Sequence, residues 1–482
     1  MSVQLALSAA LSGLRTTQQQ AALLSHNIAN ATTPGYVRRD LALSASVTGG
    51  QGAGVKVDAI ARKVDELLIR DARYETSRYT GQEARASALA DYALVLGQPQ
   101  DERSVSTLLS KLQQSFARLH DMPNDDAAQN AVVAQAVALT QGLNNAAEAA
   151  RTVETDARNR LQNSVDTVNA SLQRIGELNG AIASLDAKGG DTGDLRDERD
   201  RLLDTVSEEI GIRTYSRDDG QVVVMTRNGQ TLLDGQLDPG EKPLTIVGND
   251  LMANGSRLVW LGSGTPPTGT NPSPDTEIQT GRIMGYVQTV KQDMPRALAQ
   301  LDELAAGIVQ RFRSAETDPD MTKPGLFTDN GAAYTTTAGL ASRIAVNNLV
   351  RTESWRVQSG VLALAALPAG DQTQIERFSA AFTATTGAFA PGLDLPTAAT
   401  TLGDYATAMV SVQQGYRTTA ESEMNSRKIS ADTLQSARLN RDGVNIDDEM
   451  QKLLLIEQSY GASAQVVQVA GRMIDILLQI KG

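Results

Sequence analysis

The sequence predicts a mainly α-helical, elongated chain with one small inserted β-domain. Its terminal helices are expected to pair as a coiled coil beside a long helical rod. Three observations carry this: matching heptad stripes at the two ends, a helical period sustained from Ala127 to Leu185, and a switch to two-residue alternation between Ile210 and Leu261.

The first stripe runs through Val3, Leu7, Ala10, Leu14, Thr17, Ala21, Leu24 and Ile28 in alternating four- and three-residue steps, the spacing of a coiled-coil seam. A secretory signal wants positive charge before its apolar run. Here the first charge, Arg15, follows it, so an amphipathic helix is the better reading. The helix ends at Asn30, and Pro34-Gly35 fits the centre of a type II turn. A short extended stretch and a glycine-rich run, Gly49 to Gly54, follow. That run lacks the Gly-Lys-Ser/Thr of a phosphate cradle.

Helical spacing resumes from Val64 to Leu96. Ser104 is placed as the N-cap of a helix carrying Leu108, Leu112, Phe116 and Leu119. Pro123-Asn124-Asp125 opens the longest helix, with Leu161, Val165, Val168, Leu172, Ile175, Leu178, Ile182 and Leu185 on one face. At ~1.5 Å per residue it would reach roughly 90 Å. Asp219-Gly220 and Asn228-Gly229 flank Val222 to Met225 as hairpin turns, and Leu244 to Val247 and Leu258 to Leu261 extend a β-meander. A linker, Gly262 to Asp275, closes the insertion. Helix returns from Ile283, kinks or restarts at Pro295 and runs to Phe312. Ala363 to Thr401 has no readable period, and a polar helix spans Tyr405 to Leu439.

The last stripe has Ile446, Leu453, Tyr460, Val467 and Ile474 at seven-residue steps, with Ile456, Ala470 and Leu477 between them. An isolated helix is marginal in water, so each end needs a partner: the other end, or a neighbouring copy. The predicted division is 1–57 and 443–482 for the terminal pair, 58–209 and 277–442 for the rod, and 210–276 for the β-domain.

Bulk composition limits the chemistry. The 482 residues suffice for about three domains of roughly 100–200 residues. Only 4% are aromatic against 41% hydrophobic, which suits narrow helical seams. The net charge of −12 disfavours nucleic acid. With no cysteine, disulfides and thiolate metal sites are excluded, and no apolar run is long enough to insert in a membrane.

His26 and His120 lie far apart with no triad-like neighbours. The carboxylates from Asp191 to Arg201 alternate with arginines, which reads as a solvated helix start with internal ion pairs. Gly443 and Glu449 fit the sixth and twelfth places of a calcium loop, but its first place would be Arg438. The segment is therefore read as a helix boundary, with Asp447-Asp448-Glu449 favouring the helix N-terminus. No catalytic residue, metal site or cofactor is expected.

Ser25-His26-Asn27-Ile28-Ala29-Asn30-Ala31-Thr32-Thr33-Pro34-Gly35-Tyr36 resembles the N-terminal signature of the flagellar rod, hook and hook-associated axial family. Gln458 to Gln468 resembles its C-terminal one. Gly443-Val444-Asn445-Ile446-Asp447-Asp448-Glu449, Leu195 to Asp200, and the helix from Gly281 to Phe312 are similar to elements of its hook-associated branch, although Asp442 stands where members often have Ser. In that family Asn27, Asn30, Pro34, Gly35 and Tyr36 are motif positions.

The resemblance implies a non-enzymatic polymer subunit at the junction of hook and filament, exported through the flagellar type III apparatus without a cleaved signal peptide. Implied partners are copies of itself, the hook protein, the next hook-associated protein and a cytoplasmic export chaperone that holds the C-terminal helix. The terminal helices would form an inner tube and the β-domain the outside. Other readings are a hook or rod protein, or a secreted coiled-coil type III effector.

Overall fold

A computed structural model describes residues 3–48, 51–238, 240–262, 278–317, 319–385 and 389–480. Helix α1 (Val3–Ala29) leads into a long antiparallel hairpin, β1 (Arg39–Thr48) and β2 (Gln51–Arg62), in register from Arg39↔Arg62 to Thr48↔Gln51. The glycine-rich run is therefore part of a hairpin, its Gly49-Gly50 lying outside the described residues. α2 (Glu66–Leu96) and α3 (Val105–Asp121) follow. Ser104 sits at the N-cap of α3, yet its hydroxyl bonds Ser106 Oγ and no backbone amide caps onto it. Asp125 does cap the next helix, accepting from the Ala127 amide.

That helix, α4 (Asp126–Asp186), is 61 residues long and is the shared strut of two hydrophobic cores. Its first half, from Val132 to Val153, packs with α3 and with later helices around Phe116, Phe312, Phe378 and Phe382. Phe312 lies 5.1 Å from Phe382 and 5.0 Å from Phe327, centroid to centroid, both edge to face. Its second half, from Leu161 to Ile175, packs with α5 (Gly193–Glu209) and the β-domain.

The insertion is two separate three-stranded sheets, where one continuous meander was expected. β3 (Ile212–Ser216), β4 (Val222–Thr226) and β5 (Thr231–Leu233) form the first. β6 (Leu244–Val247), β7 (Asp250–Ala253) and β8 (Ser256–Trp260) form the second. The division has a visible cause on α4. Asn179 donates to the Val222 carbonyl (2.9 Å) and accepts from its amide (3.0 Å), and Asn169 does the same to Leu244 (2.6 and 2.9 Å). Each buried amide side chain thus acts as a partner for the first residue of a strand, β4 in the first sheet and β6 in the second. Ten residues of helix separate them by about 15 Å. Of the expected linker, only Gly262 falls among the described residues.

α6 (Arg282–Gln288) crosses α2 closely, because a Cβ at Gly285 would sit 2.2 Å from the Gly81 carbonyl. A π-turn, Thr289–Asp293, joins it to α7 (Met294–Ser314), with Pro295 in the first turn of α7. The interruption expected at Pro295 is this turn, which presents Asp293 bidentately to Arg85 of α2 (2.8 and 2.9 Å). A short pair, β9 (Phe327–Asp329) with β10 (Ile344–Val346), precedes α8 (Asn348–Thr352), α9 (Arg356–Ser359) and α10 (Thr373–Thr383). The region without a readable period thus holds one ordered helix, whose Ile375, Phe378 and Phe382 enter the main core. α11 (Leu402–Asp442) runs along α2, and after Gly443 the chain turns into α12 (Ile446–Ile480), which pairs with α1.

Candidate assembly interface

α1 and α12 lie antiparallel. Asn27 meets Glu449 near one end of the pair, and a Cβ on Gly13 would touch Ser463 Oγ, fourteen residues along each helix. Of the first stripe, Ala10 and Leu24 are buried, while Leu7, Leu14, Ala21 and Ile28 are half-buried. Of the second, Ala470 is buried and Leu453, Ile456, Val467 and Ile474 are half-buried. Ile446 and Tyr460 remain exposed. The side chains of Val3 and Leu477 lie outside the described residues.

A second apolar row faces solvent on α12: Leu454, Leu455, Val466, Val469, Met473 and Ile476, with Leu455 65% exposed. This row is also spaced by sevens, Val466 to Met473 and Val469 to Ile476, so spacing alone does not tell which of the two faces meets α1.

The motif residues gather where the pair joins the body. Asn27 is buried with both its amide groups engaged. Its Nδ2 donates to the Arg39 carbonyl and to Glu449 Oε2 (2.9 Å each). Its Oδ1 accepts from Tyr36 Oη (2.8 Å) and the Arg39 amide (3.2 Å). One side chain therefore ties the end of α1 to the turn, the hairpin and α12. Burial pushes the Tyr36 hydroxyl up to about 12, with Arg39 opposing, so it stays a donor. His26 Nδ1 lies 3.0 Å from the same hydroxyl. Asn30 closes the helix locally, donating to the His26 carbonyl (2.9 Å) and accepting from Thr33 (3.2 Å). Gly35 has φ +76°, and a Cβ there would strike Arg201, whose Nη1 donates to the Pro34 carbonyl.

Glu449 does more than favour a helix N-terminus, since it is buried between Asn27 and Lys452 Nζ (2.6 Å). Asn445 caps α12 by accepting from Asp447 N (3.0 Å). The chain leaves the terminal helices and hairpin for the body after β2 and returns after α11, and both passages are stitched to the segment between α1 and β1. Arg38 N donates to the Asp442 carbonyl and Lys63 N to the Arg38 carbonyl (2.9 Å each), and Asp65 N donates to Asp442 Oδ1 (3.1 Å). Asp442 is buried, and its Oδ2 has no hydrogen-bond partner among the described residues. Burial raises its carboxyl above the ordinary 3.8, the Asp65 amide and Arg438 offsetting part of the effect.

The carboxylate run of α5 is solvated at its start, as expected, with the Asp194 side chain 78% exposed, but its carboxylates are buried or half-buried from Asp197 on and are not internally paired. Its partners come from other elements. Arg39 reaches Asp194 (2.5 Å) and Asp197 (2.9 Å), and Arg62 reaches Asp197 (2.8 Å) and Asp200 (2.6 Å). Arg73 of α2 and Arg438 of α11 both hold Asp204 (2.6 and 2.9 Å). Burial lifts Asp197 above the ordinary carboxylate range, against the pull of Arg62 and Arg39. Burial also opposes ionisation of Asp200, but Arg62 and Arg73 outweigh it and hold that group low. The signal that could have found this face was the spacing of Asp194, Asp197, Asp200 and Asp204, by three, three and four. No sequence signal names Arg39 and Arg62 as their partners.

Among the described residues no cluster of His, Asp or Glu is grouped to hold a metal ion, and no helix is long and apolar enough to cross a membrane.

Residues 94–318 match the flagellar hook-associated protein FlgK helical domain family, and residues 435–480 match the flagellar basal body rod FlgEFG protein C-terminal family. Flagellar hook-associated protein 1 of Bacillus subtilis is 23% identical, across 96% of either chain. The protein of that name from Escherichia coli is 24% identical over 63% of this chain, and the match spans 56% of its own length. A solved structure of the flagellar hook junction protein FlgK from Burkholderia pseudomallei aligns over 54% of this chain and 47% of its own, at 19% identity and a TM-score of 0.44.

Proposed function

We propose that the chain is a member of the flagellar hook-associated protein 1 family and a structural, non-enzymatic subunit of the bacterial flagellum, assembled where hook meets filament. The observation that carries the reading is the second apolar row of α12. Burying a Leu or Ile stabilises by about 1.5–3 kcal/mol, so a row from Leu454 to Ile476 left in solvent is a strong reason to associate. Pairing with α1 uses one face of α12, and neighbouring copies take the other. At the two ends of the ring of copies the neighbours are the hook protein and the next hook-associated protein.

The same helix is offered to a cytoplasmic chaperone before export through the flagellar type III route, which leaves no cleaved signal. Leu453 belongs to the α1-facing stripe and Leu455 to the outward row, so Leu453→Asp and Leu455→Asp test pairing and association separately.

Deletion of the gene should leave hooks without filaments, counted by electron microscopy. Normal filaments on the deletion strain would end the assignment. Complementation with Leu455→Asp should restore a folded, secreted subunit but few filaments. A pull-down with the chaperone should lose Leu453→Asp, if the chaperone grips the α1-facing stripe, and keep Leu455→Asp. Retention of both would place the chaperone elsewhere on the chain.

A further inference from the structure

Two passages of chain, after β2 and after α11, join the terminal unit to the body, and short passages alone do not fix an angle. Something must set the pose of α1, the hairpin and α12, since copies in a regular array need the same one. The hairpin travels with the helices: β2 packs on α1, and Val55 N donates to Ser12 Oγ (3.1 Å). Its base is a single cross-strand pair, Arg39↔Arg62. Both guanidinium groups of that pair reach one helix of the body, α5, as described above.

We propose that α5 is a clasp: its aspartates at 194, 197 and 200 grip the base of the hairpin, fix the pose of the terminal unit, and when neutralised let that unit swing while both parts stay folded. Burial and geometry favour a clasp over ordinary surface pairing. The side chains of Arg39 and Asp197 are 2% and 4% exposed, so solvent screens their attraction weakly. The row is continuous with the body's own bracing, because Asp200 and Asp204 of the same helix also hold Arg73, and Asp204 holds Arg438. The hairpin thus docks on a helix fixed from behind. Directional charge-assisted bonds set an angle where apolar contact would let surfaces slide.

The chain has no native cysteine, so spin labels can be placed at will. Gln18→Cys on α1 and Gln162→Cys on α4 are both exposed sites on the two parts. In the full-length chain, the label-to-label distance distribution should be a single narrow peak. Asp197→Asn with Asp200→Asn should broaden it severalfold, while hydrogen exchange within α1, α5 and α12 stays at parent rates. Arg62→Gln, made on the hairpin side, should broaden it likewise and add little to the first variant, as partners in one network do. Arg174→Gln, which breaks an exposed pair with Glu198, should leave the peak narrow. A narrow peak in the aspartate variants would overturn the clasp. Broadening accompanied by fast exchange in α5 would overturn it too, because the aspartates would then be holding the body together and not setting an angle.

Discussion

Around Phe312 the body has no apolar surface left to cover: Phe116, Leu139, Leu301 and Phe378 are all at 0% exposure. Along α12, by contrast, Leu454, Leu455 and Ile476 are more than half exposed, and the stripe facing α1 is only half-buried. Both regions are helical, and both show apolar residues at three- and four-residue steps. They differ in the number of layers. α4 is covered by α3, α5, α6 and α7, whereas α12 has one helix on one side. The core around Phe312 is therefore closed within the monomer, although Leu94 and Ile429 lie exposed elsewhere on the body, whereas the paired termini enclose no such core and leave a row of apolar side chains uncovered.

Several substitutions would break or sharpen that contrast. Phe312→Ala removes a ring from the main cluster and should cost about 3–5 kcal/mol in denaturant melts of the monomer. A much smaller loss would mean that the body is looser than its burial implies. Asn27→Ala leaves Glu449 with only Lys452 and the Tyr36 hydroxyl with only His26, and should loosen the terminal unit by about 1–3 kcal/mol. Hydrogen exchange should then speed up in α1 and α12 and not between Leu161 and Ile182. Faster exchange in α4 as well would merge the two regions into one cooperative unit.

Leu453→Asp, on the half-buried stripe, should weaken the pair by about 1–3 kcal/mol, and its stability loss should appear in the isolated chain. Leu455→Asp should change monomer stability by no more than about 0.5 kcal/mol while abolishing assembly, measured by sedimentation and filament counts. Reversal of those two outcomes would exchange the roles assigned to the two faces of α12.

The smallest effect concerns Asp442. Its folded value lies above 3.8, so the folded chain takes up a proton there before the unfolded chain does, and stability rises as pH falls through the raised value. Asp442→Asn removes that slope. The variant should melt higher than the parent at pH 7, and the gap should shrink as pH falls toward about 4. A gap independent of pH would mean that this carboxyl is already neutral, or that water reaches its free oxygen.

The sequence by itself determined what is local or periodic. The terminal stripes, the unbroken course of α4, the Asp219-Gly220 and Asn228-Gly229 turns and the positive φ of Gly35 all follow from neighbours in the chain. Motif positions such as Asn27 and Tyr36 could be named by resemblance, but not what they touch. The tertiary structure alone decided that Asn27 bonds Glu449, 422 residues away, and that the aspartates of α5 face Arg39 and Arg62 and not the arginines beside them. It also decided that Asn169 and Asn179 divide the insertion into two sheets. The physical reason is the same in each case. Backbone propensity and amphipathic period are summed over a few turns, whereas the partner of a buried polar group is chosen by whichever distant segment packing brings within about 3 Å of it.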